Sequence, residues 1–344
     1  MKLNHSIHGL RGMCALMVFV GHVISMSITG GYLSINEYPT RTLAEIGVDI
    51  FFIISGYLIV QSLVKHGNVK KFVVNRLIRI YPVFIPLLMV MFIAGPLIGF
   101  DWLGELNPVE YVFAFLASLL MLPGVFPLEE AVRNARTLSF EFAFYLVSAI
   151  FFLSKRNAGR KALQYTLLIL GLAICIVVCY RYPRALFFLS GTIVYFLSDK
   201  IKGLNVDIKI AKYYSIIALV GIYFCAYYHQ VYVGVIIGVC FFAMMAREYG
   251  LLTDFLNTKV MQFYGTISYS FYLLHPFGLF PFQKVMGKLP LPDYASVAVT
   301  YVGGLILATI LGYLSYTIIE VKVTNRLFKK KRKAPVMDQA PAAV

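Results

Sequence analysis

Residues 10–22 read LRGMCALMVFVGH. They form the first half of an apolar run, yet they carry an arginine, Arg11, and a histidine, His22, eleven positions apart. At about 100° per residue, eleven steps make three turns plus roughly 20°. Both side chains therefore leave nearly the same helix face, about 16 Å apart along the axis. A cation and a titratable ring on an apolar helix are costly in lipid. The pair fits a helix face that lines a polar cavity. It also fits a snorkelling arginine and a histidine satisfied by a neighbouring helix.

The composition says which surroundings this helix has. The 344 residues are 60% hydrophobic and 14% charged, with a mean hydropathy of +0.77. Soluble domains carry about 25% charged residues. Long apolar runs recur along the chain, which predicts an all-α polytopic membrane protein. The net charge of +15 does not imply a nucleic-acid partner. Its basic residues cluster in short segments between apolar runs, as the positive-inside rule expects. Cys14, Cys175, Cys179, Cys225 and Cys240 fall inside apolar runs without metal-ligand spacing, so no metal is expected. The first apolar run lacks a small-residue cleavage pattern, so no cleavable signal peptide is expected. Residues 1–327 read as a single transmembrane domain, and 328–344 as a basic, disordered cytosolic tail.

Ten spans are predicted, near 10–29, 44–64, 80–99, 138–153, 162–179, 185–198, 213–228, 231–246, 262–282 and 295–318. The apolar stretch 108–122 is short and closes on Pro123-Gly124. If it crossed, the basic segment Lys155, Arg156, Arg160, Lys161 and every later basic segment would lie outside. If it dips in and returns, the basic segments at 65–79, 155–161, 200–212, 247–259 and 322–333 all face the cytosol. A re-entrant segment at 108–136, with both termini cytosolic, is therefore expected. Trp102 reads as an outer-interface anchor.

This topology sorts the polar residues by depth. Arg11 lies near the cytosolic end of its helix, and Arg76 and Arg79, three apart, share a face where the third span begins. Arginine forks suit phosphate groups, although plain positive-inside anchoring also accounts for this pair. The outer half collects His22, Asp49, Glu141 and His275 from four different helices. Four titratable groups at one level point to a shared polar cavity. Pro276 frees a backbone carbonyl one turn before it, beside His275. Glu320 closes the last span, either paired with an arginine or resting in the interface.

The segments GLRGMCALMVFVGH, GVDIFFIISGYLI, NRLIRIYPVF, TLSFEFAFY, SYSFYLLHPF and YTIIE, in this order, resemble the acyltransferase-3 family of bacterial membrane acyltransferases. The resemblance runs from His8 to about Glu320, nearly the whole chain. One departure is Thr137, where many relatives have tryptophan. The resemblance implies a multi-pass protein of the bacterial cytoplasmic (inner) membrane. It would transfer an acyl group, most often acetyl, from cytosolic acyl-CoA to a hydroxyl of a carbohydrate, possibly lipid-linked. Members O-acetylate O-antigen, exopolysaccharides and Nod factors. Some carry a fused extracytoplasmic hydrolase domain, and this sequence reads as the stand-alone type.

On this reading acetyl-CoA is the donor substrate and no cofactor is bound permanently. Arg11, Arg76 and Arg79 would hold the donor. His22 would act as general base or as acyl-accepting nucleophile. Glu141 or Asp49 would orient His22, and His275 would assist the leaving thiolate or bind the acceptor. A transporter or flippase is the competing class, because intramembrane charge and a re-entrant segment also occur there. No inverted repeat supports it. A structural subunit of a polysaccharide-synthesis complex is a third reading, under which the titratable set would be replaceable.

Overall fold

In a computed structural model, residues 4–98, 106–203, 208–286 and 288–328 are described. Lys2, Trp102 and residues 329–344 of the basic tail lie outside them. The described residues fold as helices throughout, and the only β feature is one isolated bridge between Pro123 and Phe126. In chain order the helices are α1 (His5–Thr29), α2 (Tyr38–His66), α3 (Val69–Ala94), α4 (Pro108–Leu119), α5 (Arg136–Arg156), α6 (Lys161–Arg181), α7 (Phe187–Gly203), α8 (Ile208–Tyr227), α9 (Val231–Ala246), α10 (Leu251–Leu256), α11 (Lys259–Met286), α12 (Asp293–Ser315) and α13 (Thr324–Phe328). A π-helix, Tyr316–Val323, joins the last two.

Six of these are long and apolar enough to cross a membrane: α1, α2, α3, α5, α6 and the continuous helix Asp293–Arg326. This is a membrane protein. α6 buries almost none of its apolar surface inside the bundle, as a lipid-facing helix does.

The centre is built from α1, which packs on α2 and α11, with α12 behind α11 and α7 behind α2. Glycine permits these approaches. A Cβ on Gly12 of α1 would stand 2.6 Å from the Gly265 amide nitrogen and from the Met261 carbonyl oxygen of α11. Only a residue without that atom lets the two backbones come so close.

Two local features bear on the sequence reading. The third span was expected to begin near residue 80, yet α3 begins at Val69. Gly67 takes a left-handed φ of 61° and ends α2, and the Asn68 side chain accepts from the Lys71 amide and starts α3. The basic stretch is therefore mostly helix, and Arg76 and Arg79 lie two to three turns inside it. The second feature is α4. Its capping box, Asn107 with Glu110, starts a helix of 12 residues, about 18 Å long. That is short of a hydrocarbon core of about 30 Å. α4 runs back along α3. The Tyr111 hydroxyl donates to the Phe92 carbonyl near the end of α3, and the Tyr81 hydroxyl donates to the Leu119 carbonyl at 2.7 Å. The chain then turns through Met121 (φ 56°) and Gly124 (φ 96°) and enters α5 at Arg136.

One end of the bundle is basic. There the Arg156 guanidinium donates to the Gly67 carbonyl at 3.0 Å, joining the α5–α6 and α2–α3 turns. The start of α1 is tied to the α9–α10 connection by Asn4 to the Ala246 carbonyl, 3.3 Å, and by the His5 amide to Glu248, 2.7 Å.

Candidate active site

Three cavities follow one another through the bundle. The first, about 430 Å³, opens at the basic end between His66, Lys71, Arg76, Arg79 and Glu320. The third, about 730 Å³, opens at the opposite end, with His22, Glu37, Glu45, Asn134 and Thr137 in its wall. Between them is a constriction of about 70 Å³ that includes Arg11, Phe51, Ser55 and Glu141. Arg76 and Arg79 line both the first cavity and the constriction. Val48, Thr137 and Tyr272 line both the constriction and the third cavity. The shared walls set the three cavities in series, a candidate passage with arginines toward one end and imidazole toward the other.

Each side chain reaches this passage through helical spacing. On α2, Val48, Phe52 and Ser55 form the stripe that faces the constriction. On α5, Thr137, Leu138 and Glu141 do the same. Arg76 is stacked over Phe72 at 5.4 Å and Tyr145 at 5.6 Å from the ring centres, so its stem and plane are fixed by aromatic faces. Among the described residues no carboxylate stands within 4.0 Å of the Arg11, Arg76 or Arg79 guanidinium. Arg11 is nonetheless within electrostatic reach of Glu141, Glu320 and the other two arginines. Glu320 sits on the π-helix and accepts from Ser270, which also bonds Ser315 at 2.9 Å.

His22 and His275 touch. Their ring centres are 4.9 Å apart, and His275 Nε2 lies 3.3 Å from His22 Nδ1. Pro276 lacks an amide hydrogen, so the Tyr272 carbonyl loses its helical partner. His275 Nδ1 occupies that carbonyl at 2.9 Å, with the Asn134 amide at 3.2 Å. A carbonyl only accepts, so His275 carries its proton on Nδ1 and presents the Nε2 lone pair to His22. His22 Nδ1 lies 2.9 Å from the Val18 carbonyl. By the same argument its proton is on Nδ1, shared between Val18 and His275, and its lone pair is on Nε2. No hydrogen bond to Nε2 of His22 is formed among the described residues.

The expected convergence of four titratable groups divides into three places. Asp49 does not face His22. It is 1% exposed and receives two hydrogen bonds from Arg184, at 2.8 and 2.7 Å, while Glu45 holds a third guanidinium nitrogen. The reason is helix phase. Asp49, Ile53 and Gly56 form the stripe of α2 that meets α7 and the turn Pro183–Leu186, where backbones come into close approach at Gly56 and Gly191. Glu141 does not face His22 either. It accepts from Tyr145 one turn along α5 and lies with the arginines. The groups that His22 does contact are His275 and the Val18 carbonyl. Arg184, Tyr272, Asn134 and Glu37 were not singled out in the sequence. Arg184 had a signal, being one of two arginines in YRYPRALFF, and the one that directly adjoins the apolar run.

The Acyl_transf_3 family profile, an acyltransferase domain, matches residues 4–317. The chain belongs to the acyltransferase-3 family. Among relatives in the family, a Staphylococcus aureus (strain MSSA476) protein named provisionally as an O-acetyltransferase is 26% identical, over 86% of this chain and 54% of its own length. This chain thus spans about half the length of that relative. The exopolysaccharide production protein ExoZ of Rhizobium meliloti (strain 1021) is 25% identical, over 83% of this chain and 91% of ExoZ. The acyltransferase MdmB of Streptomyces mycarofaciens is 27% identical over 46% of this chain and 42% of MdmB. No solved structure matches the chain.

Proposed function

We propose that this chain moves an acyl group, acetyl above all, from acyl-CoA to a hydroxyl of a cell-surface or lipid-linked carbohydrate. It works in the bacterial cytoplasmic membrane with its basic end and both termini in the cytosol. Ten crossings follow if α7, α8, α9 and α11 complete the six long apolar helices while α4 dips in and returns. The basic turns gathered at one end support this orientation. Membrane lipids are the surrounding solvent.

The observation that carries the reading is the passage itself. An arginine-lined cavity abuts, through Val48, Thr137 and Tyr272, a second cavity into which His22 projects. Arg76 and Arg79, with Arg11 deeper, suit the phosphates of an acyl-CoA entering from the basic end. The extended pantetheine arm would pass the constriction and bring the thioester to His22. There Nε2 takes the proton of the acceptor hydroxyl as its oxygen attacks the thioester carbonyl carbon. The tetrahedral intermediate collapses by C–S cleavage, and Nε2 returns the proton to the departing CoA thiolate. Through that cycle the charge on His22 is shared along Nδ1–H with the lone pair of His275. The similarity to ExoZ and to a protein named as an O-acetyltransferase supports a hydroxyl of a polysaccharide as acceptor.

The test is the purified full chain in detergent with isotopically labelled acetyl-CoA and a panel of glycans, read by mass spectrometry. Labelled O-acetyl product is expected, and His22→Ala should lower its rate by about 10²- to 10⁴-fold. Undiminished transfer by a folded His22→Ala protein overturns the mechanism. A carrier would form no acylated product at all.

A further inference from the structure

The two ends of the passage carry opposite charge. Among the described side chains, the outer cavity is lined by four carboxylates, Glu37, Glu45, Glu129 and Glu130, against two cations, Arg41 and Arg136. Both cations are already committed, Arg41 to Glu45 at 3.3 Å and Arg136 to Glu130. Glu45 also holds Arg184. Among the described side chains, which do not include that of Arg133, Glu37 and Glu129 have no cation within 4.0 Å. Glu37 is held on the N-terminal end of α2, where its carbonyl receives the Arg41 amide and the Thr40 hydroxyl, both at 2.9 Å. It lines the same cavity as His22. The basic-end cavity is the converse: among the described residues no carboxylate lies at ion-pair distance from Arg76 or Arg79.

We propose that Glu37, helped by Glu129, makes the cavity around His22 selective for uncharged or cationic hydroxyl-bearing acceptors and against anionic ones. This deepens the acyltransferase reading and rests on it for the word acceptor. A carboxylate accepts hydrogen bonds from sugar hydroxyls or ammonium groups and repels a uronate, phosphate or sulfate at the same spot. The two ends also work together. The anionic CoA is held at the arginines and repelled beyond His22, so only its acyl end is carried forward.

The test uses two small alkylating probes of nearly equal shape, neutral bromoacetamide and anionic bromoacetate, on the full-length protein in detergent. Peptide mass spectrometry reads the modification of each histidine. At His22 the neutral reagent should react about tenfold faster than the anionic one, relative to the ratio for free imidazole, the size expected of one uncompensated charge. His66, in the arginine-lined cavity, should show the reverse preference. Glu37→Gln with Glu129→Gln should bring the His22 ratio to within about threefold of free imidazole and leave His66 unchanged. Equal rates at His22 in the wild type, an unaltered ratio in the double variant, or no access of either reagent to His22 would each overturn the proposal. The acyltransferase reading is judged separately, by acetyl transfer to a methyl-esterified oligogalacturonate against the free acid. If neither is ever acetylated, nor any other glycan, the enzyme reading fails while the alkylation ratio still decides the charge selectivity.

Discussion

Replacing His275 by alanine removes one of the two groups that hold the His22 Nδ1 proton. In the wild type that proton lies between the Val18 carbonyl at 2.9 Å and His275 Nε2 at 3.3 Å. When Nε2 of His22 takes a proton, the ring becomes a cation and both contacts become charge-assisted. A hydrogen bond to a charged group contributes about 1.5–3 kcal/mol, and each 1.36 kcal/mol is a tenfold change in rate. Because Val18 keeps part of the interaction and 3.3 Å is long, the lower part of that range applies. The kcat for acetyl transfer should fall about ten- to thirtyfold, with the KM for acetyl-CoA unchanged. His275 is fully buried between Phe19 and Phe271, so thermal unfolding in detergent must be measured alongside. A structural role alone would lower stability and leave the kcat of the folded fraction intact. A folded His275→Ala protein whose kcat stays within twofold of wild type would refute the reasoning. So would a fall carried wholly by the acetyl-CoA KM.

Two further outcomes follow from the geometry. Arg76→Ala with Arg79→Ala should raise the KM for acetyl-CoA by about ten- to a hundredfold, since each guanidinium would bond a phosphate. The KM for the glycan acceptor should stay near wild type in the same kinetic assay. Asp49→Asn strips the bidentate partner from a mostly buried Arg184, and breaking such a pair costs about 3–5 kcal/mol. It should lower the detergent melting temperature strongly. Asp49→Leu with Arg184→Met should recover most of the loss, because both charges then leave together. If Asp49→Asn instead left stability unchanged and abolished kcat, Asp49 would belong to the chemistry after all.

The membrane class, the helical character and the family were legible in the chain, because they depend on local periodicity and on motifs read in order. The shared face of Arg11 and His22 was legible too, because their spacing sets it whatever surrounds the helix. The role of Pro276 was half legible: a missing amide always orphans the carbonyl one turn back, but the sequence does not say which group will fill the gap. Asp49 shows where sequence reading stopped. It sits at the right depth, one position from Val48, yet about 100° around the helix from it. Which of those two faces meets the passage and which meets α7 depends on how α2 is rotated against its neighbours. That rotation is set by glycine contacts with helices far away in sequence. Depth along a helix is a property of the sequence alone, whereas the partner of a side chain is decided by azimuth. For that reason only the assembled bundle could give His22 a second imidazole in place of a carboxylate, and give Asp49 an arginine.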